Sequence, residues 1–283
     1  MTTALIVGSQ GALGKELQKF FNEQAIDYVA LNSKELDITN REIVIKIVQQ
    51  IMPDIIFNAA AYTNVDKAEK EDQKINYKVN GEGPANLAQA AQLIDAVLVH
   101  VSTDYVFDGN NETEYSEADK TNPMQEYGKA KLAGEDAVLN SGAKAYIVRT
   151  SWVFGEFGHN FIQTMQKLAL THSEVSVISD KYGRPTWTRT LAEFMWYLVT
   201  NNCEYGIYNL SNDGKASWYE FASELLKDQN VKVLPVSSES FSQVAYRPTN
   251  SVFNLEKAKK TGFKILTWQA ALQMYLKGLN KIG

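Results

Sequence analysis

A single cysteine, Cys203, stands in 283 residues, so no intrachain disulfide can form and a packed core must hold the fold. Its neighbours, Asn202 and Glu204, give it no nucleophilic setting. The three histidines, His100, His159 and His172, lie far apart and show no metal-ligand spacing; His100 reads as a strand residue. No apolar run approaches the roughly 18 residues that cross a bilayer, so no membrane association is expected. Positive charge is not in excess either. Against 33 Asp and Glu stand 28 Lys and Arg, a formal charge of −5, which excludes nucleic-acid binding through a bulk basic field. A small phosphorylated ligand held by a few local donors remains compatible. Repeats, low-complexity segments and an obvious linker are lacking too. Residues 1–7 form an apolar run with no basic leader, which reads as a buried strand rather than a signal peptide; with the lone thiol, this predicts a cytoplasmic protein.

Hydrophobic residues make up 45% and charged residues 22%, as in soluble globular proteins. Short apolar runs at residues 4–7, 28–31, 54–57, 96–101 and 145–149 alternate with amphipathic stretches that begin near Ala12, Asn40, Gly83 and Gln125. Buried strands separated by helical periodicity predict an α/β chain with a Rossmann-like, doubly wound parallel sheet. After residue 155 the pattern loosens. Helices are expected near 160–171, 188–199, 217–227 and 267–277, with short strands at 175–178, 207–210 and 231–236. The domains expected are a dinucleotide-binding domain at 1–155 and a smaller, mainly substrate-binding lobe at 156–283, with some segments returning to the first.

Gly8-Ser9-Gln10-Gly11-Ala12-Leu13-Gly14 follows the first strand and opens a helix. Glycines there permit a tight turn and close approach to a pyrophosphate, and the helix start offers free N–H groups to an anion. The spacing is G-x-x-G-x-x-G rather than G-x-G-x-x-G, and a simple turn is the plain alternative. After the second strand the chain reads Leu31-Asn32-Ser33-Lys34, without the carboxylate that holds a ribose 2′-hydroxyl in many NAD sites. Ser33 and Lys34 could donate to a 2′-phosphate, which favours NADPH, with NADH possible.

Tyr127-Gly128-Lys129-Ala130-Lys131 puts Tyr127 and Lys131 at i and i+4, on one helix face. A nearby ammonium is expected to lower the phenol's pKa toward neutrality, turning a poor acid–base group into a useful one. A solvated helix face is the ordinary alternative for this pair. Val101-Ser102-Thr103-Asp104-Tyr105-Val106-Phe107-Asp108-Gly109 follows the fourth strand, where a hydroxyl could stabilise a developing oxyanion or merely close a turn.

With Asn58-Ala59-Ala60-Ala61-Tyr62-Thr63, Arg149-Thr150-Ser151-Trp152-Val153-Phe154-Gly155, Asn160-Phe161, Asp180-Lys181-Tyr182-Gly183-Arg184-Pro185-Thr186 and Arg247-Pro248-x-x-Ser251, these motifs resemble the extended short-chain dehydrogenases/reductases. More narrowly, the chain resembles the dTDP-4-dehydrorhamnose reductase family over nearly its whole length. The resemblance implies Thr103, Tyr127 and Lys131 as catalytic residues, Tyr127 giving the proton and Lys131 also meeting the nicotinamide ribose. It implies cofactor contacts from Gly8, Gln10, Gly11, Ala12, Leu13 and Gly14, from Asn32, Ser33, Asp37 and Ile38, and from Ala59, Ala60, Ala61, Tyr62 and Thr63. For a dTDP-sugar it implies Thr103, Asp104, Tyr127, Trp152 and Arg247. Trp152 could equally be a core residue and Arg247 a surface ion pair.

The implied reaction is NAD(P)H-dependent reduction of dTDP-4-dehydro-L-rhamnose to dTDP-L-rhamnose, for surface or spore-coat polysaccharide. Some family members dimerise around Mg2+ held by glutamates. Glu16 matches one such position, but Arg189 stands where another acid is expected, which weighs against a metal-bridged dimer; no metal ligand is assigned, and a monomer or homodimer is expected. Two other readings stay open: a sugar-nucleotide epimerase or dehydratase of the same superfamily, and a non-catalytic NADP-binding regulatory subunit.

Overall fold

A computed structural model describes residues 3–279. Met1 and Thr2, read above as the start of the first apolar run, lie outside the described residues, as do residues 280–283. The first half contains strands β1 (Ala4–Val7), β2 (Tyr28–Leu31), β3 (Ile55–Asn58), β4 (Val97–Thr103) and β5 (Lys144–Thr150). Its helices are α1 (Ala12–Glu23), α2 (Arg41–Ile51), α3 (Val65–Ala68), α4 (Gln73–Tyr77), α5 (Gly83–Leu93) and α6 (Glu126–Leu139).

The strands form one parallel sheet, and alternation explains why it is covered on both sides. Ala4, Ile6 and Phe57 point to the face carrying α1, where Leu13, Leu17, Phe20 and Phe21 pack. Leu5, Val7, Ile56 and Leu98 point to the opposite face, under Val44 and Val48 of α2 and Leu87, Ala88 and Ala91 of α5. Each fully buried Leu, Ile or Phe contributes about 1.5–3 kcal/mol, so the two layers together dominate the stability of this half.

The sheet has a sixth strand, Gly206–Asn209, paired in parallel with the outer edge of β5. The helix Thr188–Thr200 also packs on the α1 face, through Leu191, Phe194, Met195 and Leu198. A separate core unites the rest of the second half: Phe154, Ile162, Val175, Phe221, Leu225, Trp268 and Tyr275 cluster around the parallel pair Glu174–Ile178 and Lys232–Val236. The expected strand ends shift by one or two residues. β4 runs on through Ser102 and Thr103, so those hydroxyls end a strand rather than form a turn.

Between β3 and β4 the sequence suggests one helix. The structure has α3, α4 and a π-helical turn, Lys78–Glu82, ahead of α5. Asn64 caps α3 by accepting from Lys67 N at 3.1 Å, a local reason for the first break. These extra turns carry the chain from the end of β3 to the start of α6.

Candidate active site

The carboxyl ends of β1, β3, β4 and β5 open onto two adjoining cavities of about 580 and 560 Å³, which share Gly11, Ala59, Ala60 and Ala61. The glycine turn builds their common wall. Gly8 has φ +81°, and a Cβ there would lie 2.6 Å from the backbone N and Cα of Ala60, so only glycine lets β1 and the β3 loop approach. Gly11 caps α1 and directs its first free N–H groups into the opening. Such a cradle, lined by backbone and closed to any Cβ, fits a dinucleotide's phosphates.

Of the predicted cofactor residues, Gly8, Gln10, Asn32, Ser33, Asp37, Ile38 and Tyr62 line the second cavity, joined by Lys34, Leu36 and Val79. Ala12, Leu13 and Thr63 line the first. Gly14 reaches neither; it is buried in α1, close against Gly8. The β2 turn is closed by its own side chains. Asn32 Oδ1 accepts from Lys34 N at 2.9 Å, and Asn32 N donates to Glu35 Oε2 at 2.8 Å. A carboxylate therefore does sit at this turn, three residues later than the motif suggests, folded onto the backbone.

The Ala61–Thr63 loop is fixed by Asn80 of the π turn, which accepts from Tyr62 N at 3.2 Å and donates to Tyr62 O at 2.8 Å. Asn80 also donates to Asn76, whose amide donates to Glu126 O at the start of α6. One buried ladder thus ties the cofactor loop to the helix bearing Tyr127, a link the sequence reading did not contain.

Thr103 closes β4, and Tyr127 is the second residue of α6; with Lys131 and Asp104 they line the first cavity beside Gly11, Ala12 and Leu13. Gly128 makes this possible, because a Cβ there would stand 2.1 Å from Tyr105 O. Thr103 Oγ1 donates to Asp104 Oδ1 at 2.9 Å and accepts from Tyr105 N at 3.2 Å. Burial pushes Asp104 up to about 6, and its Oδ2 is buried without a partner.

The expectation for Tyr127 needs correcting. Its phenol is pushed above its ordinary range, not below: burial dominates, the Asp104 carboxylate and Tyr105 add to it, and the Thr103 hydroxyl offsets part. At neutral pH, Tyr127 therefore holds its proton. Lys131 is buried as well, donates to Val101 O at 2.9 Å, and is lowered by that burial to about 8, against the opposing pull of Glu135.

Behind Lys131 lies a buried polar layer absent from the predicted site. Glu135, one turn on, is held by Arg149 of β5. Arg149 also stands 5.1 Å over the Phe107 ring. His100 lies in β4, as expected, with Asn58 Nδ2 3.0 Å from its Nδ1; burial, followed by Lys131, holds the imidazole neutral.

Trp152 lines the first cavity from just beyond β5, but one face of its indole is already covered by Trp218. Arg247 lines neither cavity. It pairs with Asp66 at 3.1 Å beside Tyr105, and its Nη1 is buried and unpartnered. Glu16 is buried and raised by that burial, accepting from Thr188 Oγ1 at 3.0 Å. Arg189 sits among Glu16, Glu23 and Glu193 at 3.8, 2.6 and 2.8 Å, putting a guanidinium where a bridging cation would need carboxylates. Among the described residues, no three His, Cys, Asp or Glu side chains form a metal cluster. Among them also, no helix is long and apolar enough to cross a membrane.

The family model described as the RmlD substrate binding domain matches residues 1–281. The Bacillus subtilis spore coat polysaccharide biosynthesis protein SpsK is 38% identical, covering 98% of this chain and 97% of its own. The dTDP-4-dehydrorhamnose reductase of Aggregatibacter actinomycetemcomitans is 37% identical, with 96% and 98% covered. The crystal structure of dTDP-4-dehydrorhamnose reductase from Bacillus anthracis in complex with NADP superposes with a TM-score of 0.94 at 40% identity, covering 98% of this chain and all of that one. With the glycine turn, the Thr103–Tyr127–Lys131 grouping and these full-length matches in agreement, the chain belongs to the dTDP-4-dehydrorhamnose reductase family.

Proposed function

We propose that this chain reduces the C4 keto group of dTDP-4-dehydro-L-rhamnose with NADPH, giving dTDP-L-rhamnose for surface or spore-coat polysaccharide. One observation carries the reading: Thr103, Tyr127 and Lys131 border a single cavity with the glycine turn. The NADP-bound relative from Bacillus anthracis supports the cofactor, and the printed names of the relatives support the substrate and pathway. Residues 1–155 act mainly as the dinucleotide half and 156–283 mainly as the sugar-nucleotide half. The protein works in the cytoplasm, as a monomer or homodimer.

NADPH bound along the glycine turn supplies a hydride to C4. Tyr127 gives its phenolic proton to the carbonyl oxygen. The developing alkoxide is a far stronger base than a phenolate, so a phenol raised by burial still transfers downhill. The Thr103 hydroxyl is a rotor and turns from Asp104 to the same oxygen as charge builds there. Lys131 faces the phenolate that remains, and its fixed hydrogen bond to Val101 O orients it for the ribose. Asp104, freed of Thr103, accepts from a sugar hydroxyl. Ser33 and Lys34 approach the adenosine 2′-phosphate.

The deciding assay follows NADPH absorbance with dTDP-4-dehydro-L-rhamnose. One NADPH should be consumed per sugar, which a cofactor-regenerating epimerase would not do. Tyr127→Phe should lose roughly 10²-fold or more in turnover while binding NADPH normally. Undiminished turnover in that variant would remove Tyr127 from the chemistry.

A further inference from the structure

Trp152 and Trp218 stack face to face across the first cavity, ring centroids 3.7 Å apart and planes within 8°. They reach this arrangement from distant points of the chain, and each is locally constrained. Trp152 has φ +48°, a left-handed conformation that costs a non-glycine residue about 1–3 kcal/mol and persists where the surroundings enforce it. A Cβ on Gly183 would lie 2.5 Å from Trp152 Cε2, so the backbone presses on the indole there. Trp218 opens the helix Trp218–Leu226, whose start is locked by reciprocal bonds between Ser217 and Glu220, and the Phe161 ring supports it at 4.6 Å.

The pair's position says which part of a sugar nucleotide it meets. Thr150 is registered directly opposite Thr103, and Trp152 follows two residues later, so the indoles flank the reacting pyranose. The nucleobase is a diphosphate and a ribose away. Beyond Lys131, the cavity-lining residues include no Asp, Glu, Lys or Arg; that side presents Trp152, Phe157, Phe161, Trp218 and Phe221. Such a wall desolvates a hydroxymethyl group without pairing it, and accepts a methyl group at no polar cost.

Resting on the reductase reading above, we infer that the Trp152–Trp218 stack recognises the methyl-bearing C5–C6 edge of a 6-deoxy sugar, with Trp218 the specificity-determining partner. The experiment measures the affinities of wild type, Trp218→Leu and Trp218→Phe for dTDP-L-rhamnose, dTDP and NADPH. Leucine keeps apolar bulk for folding but loses the flat face; phenylalanine keeps a smaller one. Wild type should bind dTDP-L-rhamnose more tightly than dTDP. Trp218→Leu should lose roughly tenfold for dTDP-L-rhamnose alone, the size of one aromatic face, and Trp218→Phe should recover most of it. An unchanged margin between the two ligands in Trp218→Leu overturns the inference. Equal losses for dTDP, or a loss for NADPH, overturn it too, assigning the stack to the nucleotide or the nicotinamide. Wild type that fails to reduce the 4-keto sugar brings down the reductase reading itself, a result distinct from these.

Discussion

Arg149 grips Glu135 with Nη2 at 2.6 Å and Nε at 2.9 and 3.2 Å, and neither side chain is more than 3% exposed. The pair lies between β5 and α6, one helical turn from Lys131. Removing one partner of a buried ion pair strands the other charge, which costs far more than the pair itself contributes. Glu135→Ala should therefore destabilise the fold by about 3–5 kcal/mol. Urea unfolding would show this as a lower midpoint with unchanged slope, and a loss below 1 kcal/mol would mean Arg149 finds solvent.

Lys131 sets an alkaline limit. Its folded pKa is lowered to about 8 by burial, so the charge opposite Tyr127 fades as pH rises through about 8. Tyr127 is shifted the other way and keeps its proton throughout that range. In kcat/KM, which reports the free enzyme, reduction should decline above about pH 8, and Lys131→Met should be slow and lack that limb. A flat profile to pH 10 would separate Lys131 from the rate.

Asp104 makes a pH-dependent stability prediction. Its folded pKa, about 6, exceeds the ordinary 3.8, so the native state binds this proton more tightly than the unfolded chain. Between those values stability falls as pH rises, and above pH 6 the full penalty applies, about 3 kcal/mol from the shift. Asp104→Asn should melt higher than wild type at pH 7.5 and lose the advantage at pH 4. Activity should fall at both pH values, because the amide no longer accepts as a carboxylate does.

At Gly8, alanine must adopt φ +81° and place its Cβ 2.6 Å from Ala60. The conformation alone costs about 1–2 kcal/mol, and the contact spreads β1 from the β3 loop. NADPH affinity, followed by nucleotide fluorescence, should fall roughly tenfold or more. Normal affinity would show that the phosphates do not rest on this turn.

The parts legible in the sequence were those with local signatures. Five strands announced themselves as apolar runs between breakers, and the glycine turn, Thr103, Tyr127 and Lys131 carried recognisable spacing. The pairing of Gly206–Asn209 with β5 was invisible, because a four-residue strand has no mark of its sheet. Trp218 and Glu135 were missed for a related reason: each gains meaning from a partner, Trp152 or Arg149, that only tertiary packing supplies. The shift of Tyr127 was expected in the wrong direction because charge spacing can be read from a helix and burial cannot.

The sixth strand and the helix Thr188–Thr200 were borrowed by the first half from beyond residue 155. A fragment ending there would expose the unpaired edge of β5 and strip Leu17, Phe20 and Phe21 of their cover. Such a piece invites self-association through that edge, and during synthesis the first half must wait for at least fifty further residues before its sheet is complete. The two halves are stitched rather than hinged, so the cleft's width is set once, at folding.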